Sequence, residues 1–304
     1  VSVHMTTAPV AARLESRWRT VASGTPISLA ISKSSRWPYF FNSGGPGSGM
    51  YISWDGGASW QRKTEQDGLP AGDLGRISFA PSPARRGRVY ALVEAEKSAM
   101  LRSDDGGESW IRTNEDHDIA IRPFYYTEVA ADPDNADRVY NIASVLSVSI
   151  DGGKTFELNP VIACCAPSNT IHIDNHAFWI NPADSRHLII GNDGGIAISR
   201  DRGETWRFVR NLPLSQFYHI AVDDDLPYNV YGGLQDNGSW RGPAEVWENA
   251  GIRNLHWQEV GFGDGFDTLP DPQNSRQGYA MAQGGYLMRW NLDTGEQRLV
   301  RPAP

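Results

Sequence analysis

The same eight-residue phrase occurs four times in this chain. Each copy follows the pattern S-x-D-x-G-x-x-[WF], and the four aspartates are Asp55, Asp105, Asp151 and Asp201. The steps between successive aspartates are 50, 46 and 50 residues. A fixed period of this size is the signature of a repeat architecture, in which each unit buries its faces only against its neighbours. The repeat therefore constrains the fold more than any other feature of the sequence.

The residue types in the phrase predict a tight hairpin. Aspartate and serine side chains can accept hydrogen bonds from nearby backbone N–H groups, and glycine supplies a positive φ angle without steric cost. The aromatic residue begins the next strand and covers the turn with an apolar ring. We therefore interpret the four aspartates as structural residues.

A second signal comes before each of the later phrases. Pro-containing turns at Ser82-Pro83, Asp132-Pro133 and Asn181-Pro182 lead into β-branched or aromatic runs, which is typical of a central strand. The pattern predicts an all-β fold, a β-propeller of four-stranded antiparallel blades. Six blades are counted, at residues 24–65, 72–115, 124–160, 172–212, 216–260 and 262–302, and they could belong to a seven-bladed or larger propeller.

The N-terminal segment, residues 1–23, lies outside these six ranges. Trp18–Val21 matches the strand that follows each phrase and is predicted to be an outer strand without a blade of its own. It would either pair near Gln297–Val300 or be covered by sequence beyond this chain. A short helical turn could form at Ala11–Arg17.

The motifs resemble a known group of proteins. The phrase is similar to the Asp-box, or BNR repeat, of sialidases, sortilin-type receptors and xyloglucan-cleaving glycoside hydrolases. The segments His172–Pro182, Gly191–Gly195, Gln216–His219 and Leu234–Trp240 resemble bacterial secreted proteins of the BNR-repeat glycosyl-hydrolase-like group. This resemblance implies a β-propeller with the boxes on its rim, and an extracellular or periplasmic location.

The composition of the chain limits the classes of partner that it can bind. The net charge is −8, and no basic face suited to nucleic acid is visible. No apolar run approaches the roughly 18 residues of a membrane helix, so membrane insertion is not expected. Cys164 and Cys165 are adjacent and the only cysteines; they could be two reduced thiols or a strained vicinal disulfide.

The densest group of candidate site residues is His172, Asp174 and His176. The three alternate along what is predicted to be a strand, so they would point to one side. Two imidazoles and a carboxylate on one face could bind a divalent metal, position a carbohydrate or act as acid and base. They could also be a hydrogen-bonded polar cluster. A metal is the one cofactor that the sequence suggests, and no cofactor is certain.

Other candidates fall at the starts of predicted inner strands or in glycine-rich turns. Asp236 belongs to a segment that reads either as a sugar-binding turn or as a degenerate fifth box, and Asp264 and Asp267 lie on a loop that enters the last blade. The further ligand-binding candidates are Tyr125, Tyr126, Asn192, Asp193, Tyr218, His219, Gln235, Asn237 and Trp240.

These residues and the resemblance favour a secreted carbohydrate-active propeller, glycoside-hydrolase-like, that acts on a polysaccharide or glycan. A glycosidase needs two carboxylates, and here Asp264 or Asp267 would act with Asp174 or Asp236. The alternative is a propeller that binds, adheres or assembles without catalysis. Further domains of a longer chain could be partners.

Overall fold

The computed structural model describes residues 19–20, 28–32, 44–45, 47–123, 125–159, 171–210, 212 and 214–301, with backbone only for the strands before residue 33. Ala11–Arg17, Cys164 and Cys165 lie outside these residues. The chain divides between Phe208 and Val209 into two compact units, which we call unit 1 and unit 2.

Unit 1 contains four sheets of four antiparallel strands each. Sheet 1 is β1 (Arg19–Thr20), β2 (Ser28–Ser32), β3 (Gly49–Ser53) and β4 (Gln61–Lys63). Sheet 2 is β5 (Ile77–Pro81), β6 (Val89–Val93), β7 (Ala99–Ser103) and β8 (Ile111–Asn114). Sheet 3 is β9 (Glu128–Ala131), β10 (Val139–Ile142), β11 (Leu146–Ser149) and β12 (Glu157–Leu158). Sheet 4 is β13 (Asn175–Ile180), β14 (Leu188–Asn192), β15 (Gly195–Ser199) and β16 (Arg207–Phe208).

Unit 2 contains two more such sheets. Sheet 5 is β17 (Phe217–Val222), β18 (Asn229–Leu234), β19 (Ser239–Pro243) and β20 (Gln258–Gly261). Sheet 6 is β21 (Gly265–Asp271), β22 (Asn274–Ala282), β23 (Tyr286–Asn291) and β24 (Glu296–Leu299). The helical segments described are four single turns of 3₁₀ helix, at Glu65–Asp67, His117–Ala120, Asn254–His256 and Gln283–Gly285. In the described part of the chain, no helix has the length and apolarity to cross a membrane.

The six sheets confirm the predicted all-β propeller class with four-stranded antiparallel blades. In every sheet the strands follow one another in chain order, so each blade is a simple meander. Within unit 1 the blades pack face to face. Met50 and Ile52 of sheet 1 share a core with Val89 and Leu101 of sheet 2, and Tyr140 of sheet 3 shares a core with apolar residues of sheet 4, among them Leu188 and Ile190. In unit 2, Tyr231 of sheet 5 stacks on Trp290 of sheet 6, with ring centroids 5.8 Å apart.

The N-terminal strand differs from its prediction. Arg19 and Thr20 pair with Leu29 and Ser28, as the first strand of sheet 1. The prediction of an outer strand without a blade is therefore wrong for these two residues; Trp18 and Val21 lie outside the described part. Trp18–Val21 resembles the strand that follows each repeated phrase. Two strands with the same pattern of polar and apolar residues cannot be told apart until their pairing partners are known, which explains the wrong prediction. The proposed division at residue 23 stays a prediction.

The repeated phrase forms the turn between the third and fourth strands of the first four sheets. In the second copy, the Asp105 carboxylate accepts hydrogen bonds from the Ser103 hydroxyl at 2.6 Å and from the Ser109 amide at 3.0 Å. The Gly107 amide donates to the Ser103 hydroxyl at 2.8 Å, and Gly107 has a φ of 105°. The Trp110 indole donates to the Gly107 carbonyl at 3.1 Å. These bonds close the turn upon itself.

Candidate functional site

Because each blade is an antiparallel meander, its loops lie alternately at the two ends of the strands. The turns between strands one and two and between strands three and four lie at one end, which we call the repeat end because it carries the repeated phrase. The turn between strands two and three lies at the other end, together with the segment that enters strand one. We call this the site end, because nearly all of the candidate residues lie there or at the adjoining ends of the first strands.

In unit 1 the site end of sheet 4 is built around Asp174. Its backbone adopts a left-handed conformation with φ of 63°, which is uncommon for a residue other than glycine and is tolerated best by Asp and Asn. The Asp174 amide donates to the Ser144 carbonyl at 2.8 Å, and the Asn175 amide donates to the Ala143 carbonyl at 3.1 Å. The segment entering sheet 4 is thereby fixed against the β10–β11 turn of sheet 3.

The Asp174 side chain is buried and only partly satisfied. The residue is 7% exposed, and its Oδ1 atom has no hydrogen-bond partner among the described residues. Burial raises the pKa of Tyr126, and a hydrogen bond to Asp174 and the negative charges of Asp174 and Asp193 raise it further. A carboxylate oxygen of Asp193 lies within 4.8 Å of one of Asp174. A buried carboxylate oxygen without a partner is costly, so its presence here suggests a ligand site.

Aromatic rings and a histidine surround the two carboxylates. The His176 Nε2 atom lies 2.9 Å from Asp193 Oδ1. The His176 ring is 5.2 Å from the Tyr126 ring and 5.6 Å from the half-exposed Tyr125 ring, and the two tyrosine rings meet edge to face at 4.8 Å. The Arg122 guanidinium lies over both tyrosines, 5.6 and 5.4 Å from the ring centroids. We call Tyr126, Asp174, His176 and Asp193, with Tyr125, the Asp174 cluster.

The predicted one-sided row of His172, Asp174 and His176 is wrong. β13 begins at Asn175, and the left-handed backbone at Asp174 breaks the alternation before the strand starts. Among the described residues, the three do not form a group whose ligand atoms lie within 4.8 Å of one another. The metal site predicted at these three residues is therefore not assembled.

His172 contributes to the turn instead. Its Nδ1 atom lies 2.8 Å from the Ile173 carbonyl oxygen, and its own carbonyl accepts from the Asn192 side-chain amide at 3.0 Å. The Gly194 amide donates to the Asn192 side-chain oxygen at 3.1 Å. A Cβ atom on Gly194 would lie 2.6 Å from His172 Cβ. His172 and Asn192 thus support the β14–β15 turn that carries Asp193.

In unit 2, Asp236 and Asp264 meet through the backbone rather than as a carboxylate pair. The Asp236 amide donates to Asp264 Oδ1 at 2.9 Å, and the Asp264 amide donates to Gln283 Oε1 at 2.7 Å. The Gly238 amide donates to the Gly263 carbonyl at 2.9 Å. One Asp264 oxygen is therefore occupied in holding the Gln235–Gly238 turn against the segment that enters sheet 6.

The interpretation of Asp236–Trp240 as a fifth box is wrong. These residues connect β18 to β19, the second and third strands, and so lie at the site end. Asn237 donates through its side-chain amide to the Gln235 carbonyl at 2.8 Å, and the Trp240 indole donates to the Asn237 carbonyl. Trp240 is half-buried and held to the turn rather than presented as an open platform. A short motif can close turns at either end, which explains the error.

The first strands of sheets 5 and 6 bring the remaining candidates together. His219 Nδ1 lies 2.7 Å from Asp267 Oδ1, and both side chains are about half exposed or more. The Tyr218 ring stacks on the Phe266 ring, 5.2 Å apart with an interplanar angle of 6°. Asp264 and Asp267, each predicted as one member of an acid–base pair with Asp174 or Asp236, therefore have different partners.

Sequence reasoning missed two residues that shape these sites. Arg122 has a φ of 53° and covers the two tyrosines; the proline that follows it favours extended backbone, so the sequence does not indicate this role. Gln283 holds the Asp264 loop, but no sequence signal connects residues 19 positions apart in different turns.

No family model matches the chain. An oligoxyloglucan-reducing end-specific xyloglucanase of Emericella nidulans is 27% identical over 148 residues, which is 43% of this chain and 18% of that protein. The aligned part therefore spans less than a fifth of this relative.

Three solved structures are also similar. The GH74 xyloglucanase of Xanthomonas campestris is 17% identical with a TM-score of 0.43, over 94% of this chain and 47% of that chain. An ancestral GH74 enzyme is 14% identical with a TM-score of 0.42, over 94% and 39%. YCF48 from Cyanidioschyzon merolae is 14% identical with a TM-score of 0.38, over 93% and 88%. The chain spans about half or less of the two GH74 enzymes.

Proposed function

We propose that this chain is a glycoside-hydrolase-like propeller that acts on a polysaccharide at the Asp174 cluster. The observation that carries the proposal is the buried Asp174 carboxylate, which has one unpartnered oxygen and lies beside a second carboxylate, Asp193. The sequence similarity to a xyloglucanase supports a β-glucan such as xyloglucan as the polysaccharide. We also propose that the repeated phrases are Asp-boxes of the BNR type and that the protein is secreted.

The chemistry of the cluster suits hydrolysis of a glycosidic bond. Such hydrolysis needs one carboxyl group to protonate the leaving oxygen and a second carboxylate on the other side of the sugar. Asp174 is buried beside the Tyr126 hydroxyl, and Asp193 lies 2.9 Å from His176 Nε2 and within 4.8 Å of Asp174, so the cluster offers two carboxyl groups for these two roles. Tyr125, half exposed above the cluster, offers a ring face to a sugar.

Asp174→Asn and Asp193→Asn test the proposal. Each variant is assayed for release of reducing ends from xyloglucan, cellulose derivatives and unrelated polysaccharides. We expect each to lower hydrolysis at least about 100-fold, the usual contribution of an acid or base, with melting temperatures near wild type. Asp105→Asn, in a repeat turn, is the matched control and should keep its activity.

The outcomes separate the two functional classes. Hydrolysis that survives Asp174→Asn would refute the assignment of the site. A wild-type chain that binds polysaccharide but hydrolyses none would favour the non-catalytic binding propeller instead. Immunodetection in extracellular, periplasmic and cytoplasmic fractions of the source cells tests the proposed secretion.

A further inference from the structure

Arg76 joins two blades at the site end of unit 1. It directly precedes β5, the first strand of sheet 2. Its Nη1 atom donates to the Tyr125 carbonyl at 2.7 Å, and its Nη2 atom lies 3.8 Å from Glu128 Oε1. Tyr125 and Glu128 lie where the chain enters sheet 3. The guanidinium therefore contacts the residues on either side of Tyr126 and Thr127 and holds this segment against sheet 2.

The backbone from which the Arg76 side chain extends is also fixed. The Arg76 amide donates to Glu94 Oε2 at 2.7 Å, and the Arg76 carbonyl accepts from the Glu94 amide at 2.8 Å. Glu94 is buried. It can approach this closely because Gly75 has no side chain: a Cβ atom on Gly75 would lie 2.3 Å from the Glu94 carboxylate. The Arg76 side chain therefore extends from backbone that is bonded on both sides, as a precise support requires.

The segment held in this way carries both tyrosine rings of the Asp174 cluster. The Tyr125 and Tyr126 rings lie 5.6 and 5.2 Å from the His176 ring. His176 Nε2 in turn lies 2.9 Å from Asp193 Oδ1. Tyr126 is only 3% exposed and forms a hydrogen bond with Asp174. A displacement of the segment would therefore change the surroundings of both carboxylates.

From these contacts we infer that Arg76 is a positioning residue of the Asp174 cluster. It fixes the backbone at Tyr125, and this keeps the Tyr126 side chain against His176. A charged donor makes a stronger hydrogen bond than a neutral one, and the planar guanidinium can contact two acceptors with separate nitrogens. Arg76 acts through this segment and not on the reacting atoms. Its effect on hydrolysis rests on the proposed function, whereas its effect on the position of the segment does not.

The ring resonances of histidine report the position of the segment without any substrate, because ring-current shifts depend on the distance and orientation of neighbouring aromatic rings. In proton spectra of the whole chain with labelled histidines, assigned with His176→Gln, we expect Arg76→Met to move the His176 resonances. Those of His256, in unit 2, should stay in place. Arg112→Met is the matched control: Arg112 lies on β8 beside a repeated phrase and also donates to two backbone carbonyls, but its replacement should move neither set.

Hydrolysis of xyloglucan measures the consequence for the proposed reaction. Arg76→Met should lower kcat about ten- to hundredfold, because a small misplacement of supporting groups can cost that much. Arg76→Lys keeps the charge but not the planar fork, so it should recover part of the loss. In a Tyr126→Phe background, Arg76→Met should lower kcat only about two- to threefold further, because residues that act through one another are not additive. Glu128→Gln, which leaves the bond to the Tyr125 carbonyl, should change either measurement little.

Unmoved His176 resonances in a folded Arg76→Met protein would overturn the inference. Moved resonances with wild-type kcat would do so too, as would equal losses from Arg76→Met with and without Tyr126→Phe. If Arg76→Met does not fold, Arg76→Lys replaces it in each measurement and should give smaller changes in the same direction. If the wild type hydrolyses no polysaccharide, the proposed function fails, and the His176 resonances alone decide whether Arg76 positions the segment.

Discussion

Asp105→Ala is the sharpest test of how the repeat turns stabilise this fold. Burial alone would raise the pKa of Asp105, but hydrogen bonds from the Ser103 and Ser109 hydroxyls and from backbone amides outweigh it and lower the pKa from 3.8 to about 2. At about 1.4 kcal/mol per pKa unit, this drop corresponds to roughly 2.5 kcal/mol before screening. Asp105 is exposed, so solvent screening reduces the expected loss to about 1 kcal/mol.

The lowered pKa of Asp105 also determines how the stability depends on pH. A carboxyl group whose pKa is lowered by folding contributes its full stability above the unfolded value, near 3.8, and loses it as the pH falls towards about 2. The difference in free energy of unfolding between wild type and Asp105→Ala should therefore be constant from pH 7 to about 5. Below pH 4 it should shrink.

Calorimetry over this pH range measures the effect. For a chain of this size, about 1 kcal/mol corresponds to a fall in Tm of roughly 1–3 °C. Asp73→Ala, an exposed aspartate in the loop before β5, is the control and should leave Tm nearly unchanged. An Asp105→Ala protein with wild-type Tm and lost polysaccharide binding would refute the structural role of the turn.

Three further changes probe the other contacts. Gly194→Ala places a Cβ atom 2.6 Å from His172 Cβ, so we expect the free energy of unfolding, measured by urea denaturation, to fall by about 1–3 kcal/mol. Gly191→Ala, whose Cβ atom would have its nearest contact at 3.5 Å, is the control and should cost less. Asp264→Ala removes the acceptor of the Asp236 amide, and hydrogen exchange of that amide should accelerate while amides of sheet 3 keep their rates. Burial, and then the hydrogen bond to Asp223, raise the pKa of Tyr231 to about 12, so its stabilising contribution is complete below pH 10 and is lost as the pH rises through 12; ultraviolet titration of Tyr231→Phe should lack one late-titrating phenol.

The fold could be predicted because its determinants are local. The spacing of Asp55, Asp105, Asp151 and Asp201 fixed the repeat length, and turn chemistry placed the strands on either side. The site was predicted less well, because it depends on where the backbone changes conformation. The left-handed φ at Asp174 removes this residue from the strand, and no alternation pattern indicates this. The pairing of His219 with Asp267 joins residues 48 positions apart, a separation that sequence spacing alone does not connect.

The two ends of a blade provide the physical reason for this difference. A turn at the repeat end is closed by its own side chains, as Ser103 and Asp105 show, so its sequence is sufficient to specify it. A turn at the site end is closed by the neighbouring blade or by the next segment of chain, as the contacts of Asp174 with Ser144 and of Asp236 with Asp264 show. Some side chains of a site-end turn therefore make no hydrogen bond that closes the turn. At Asp174 this leaves one carboxylate oxygen available to a ligand.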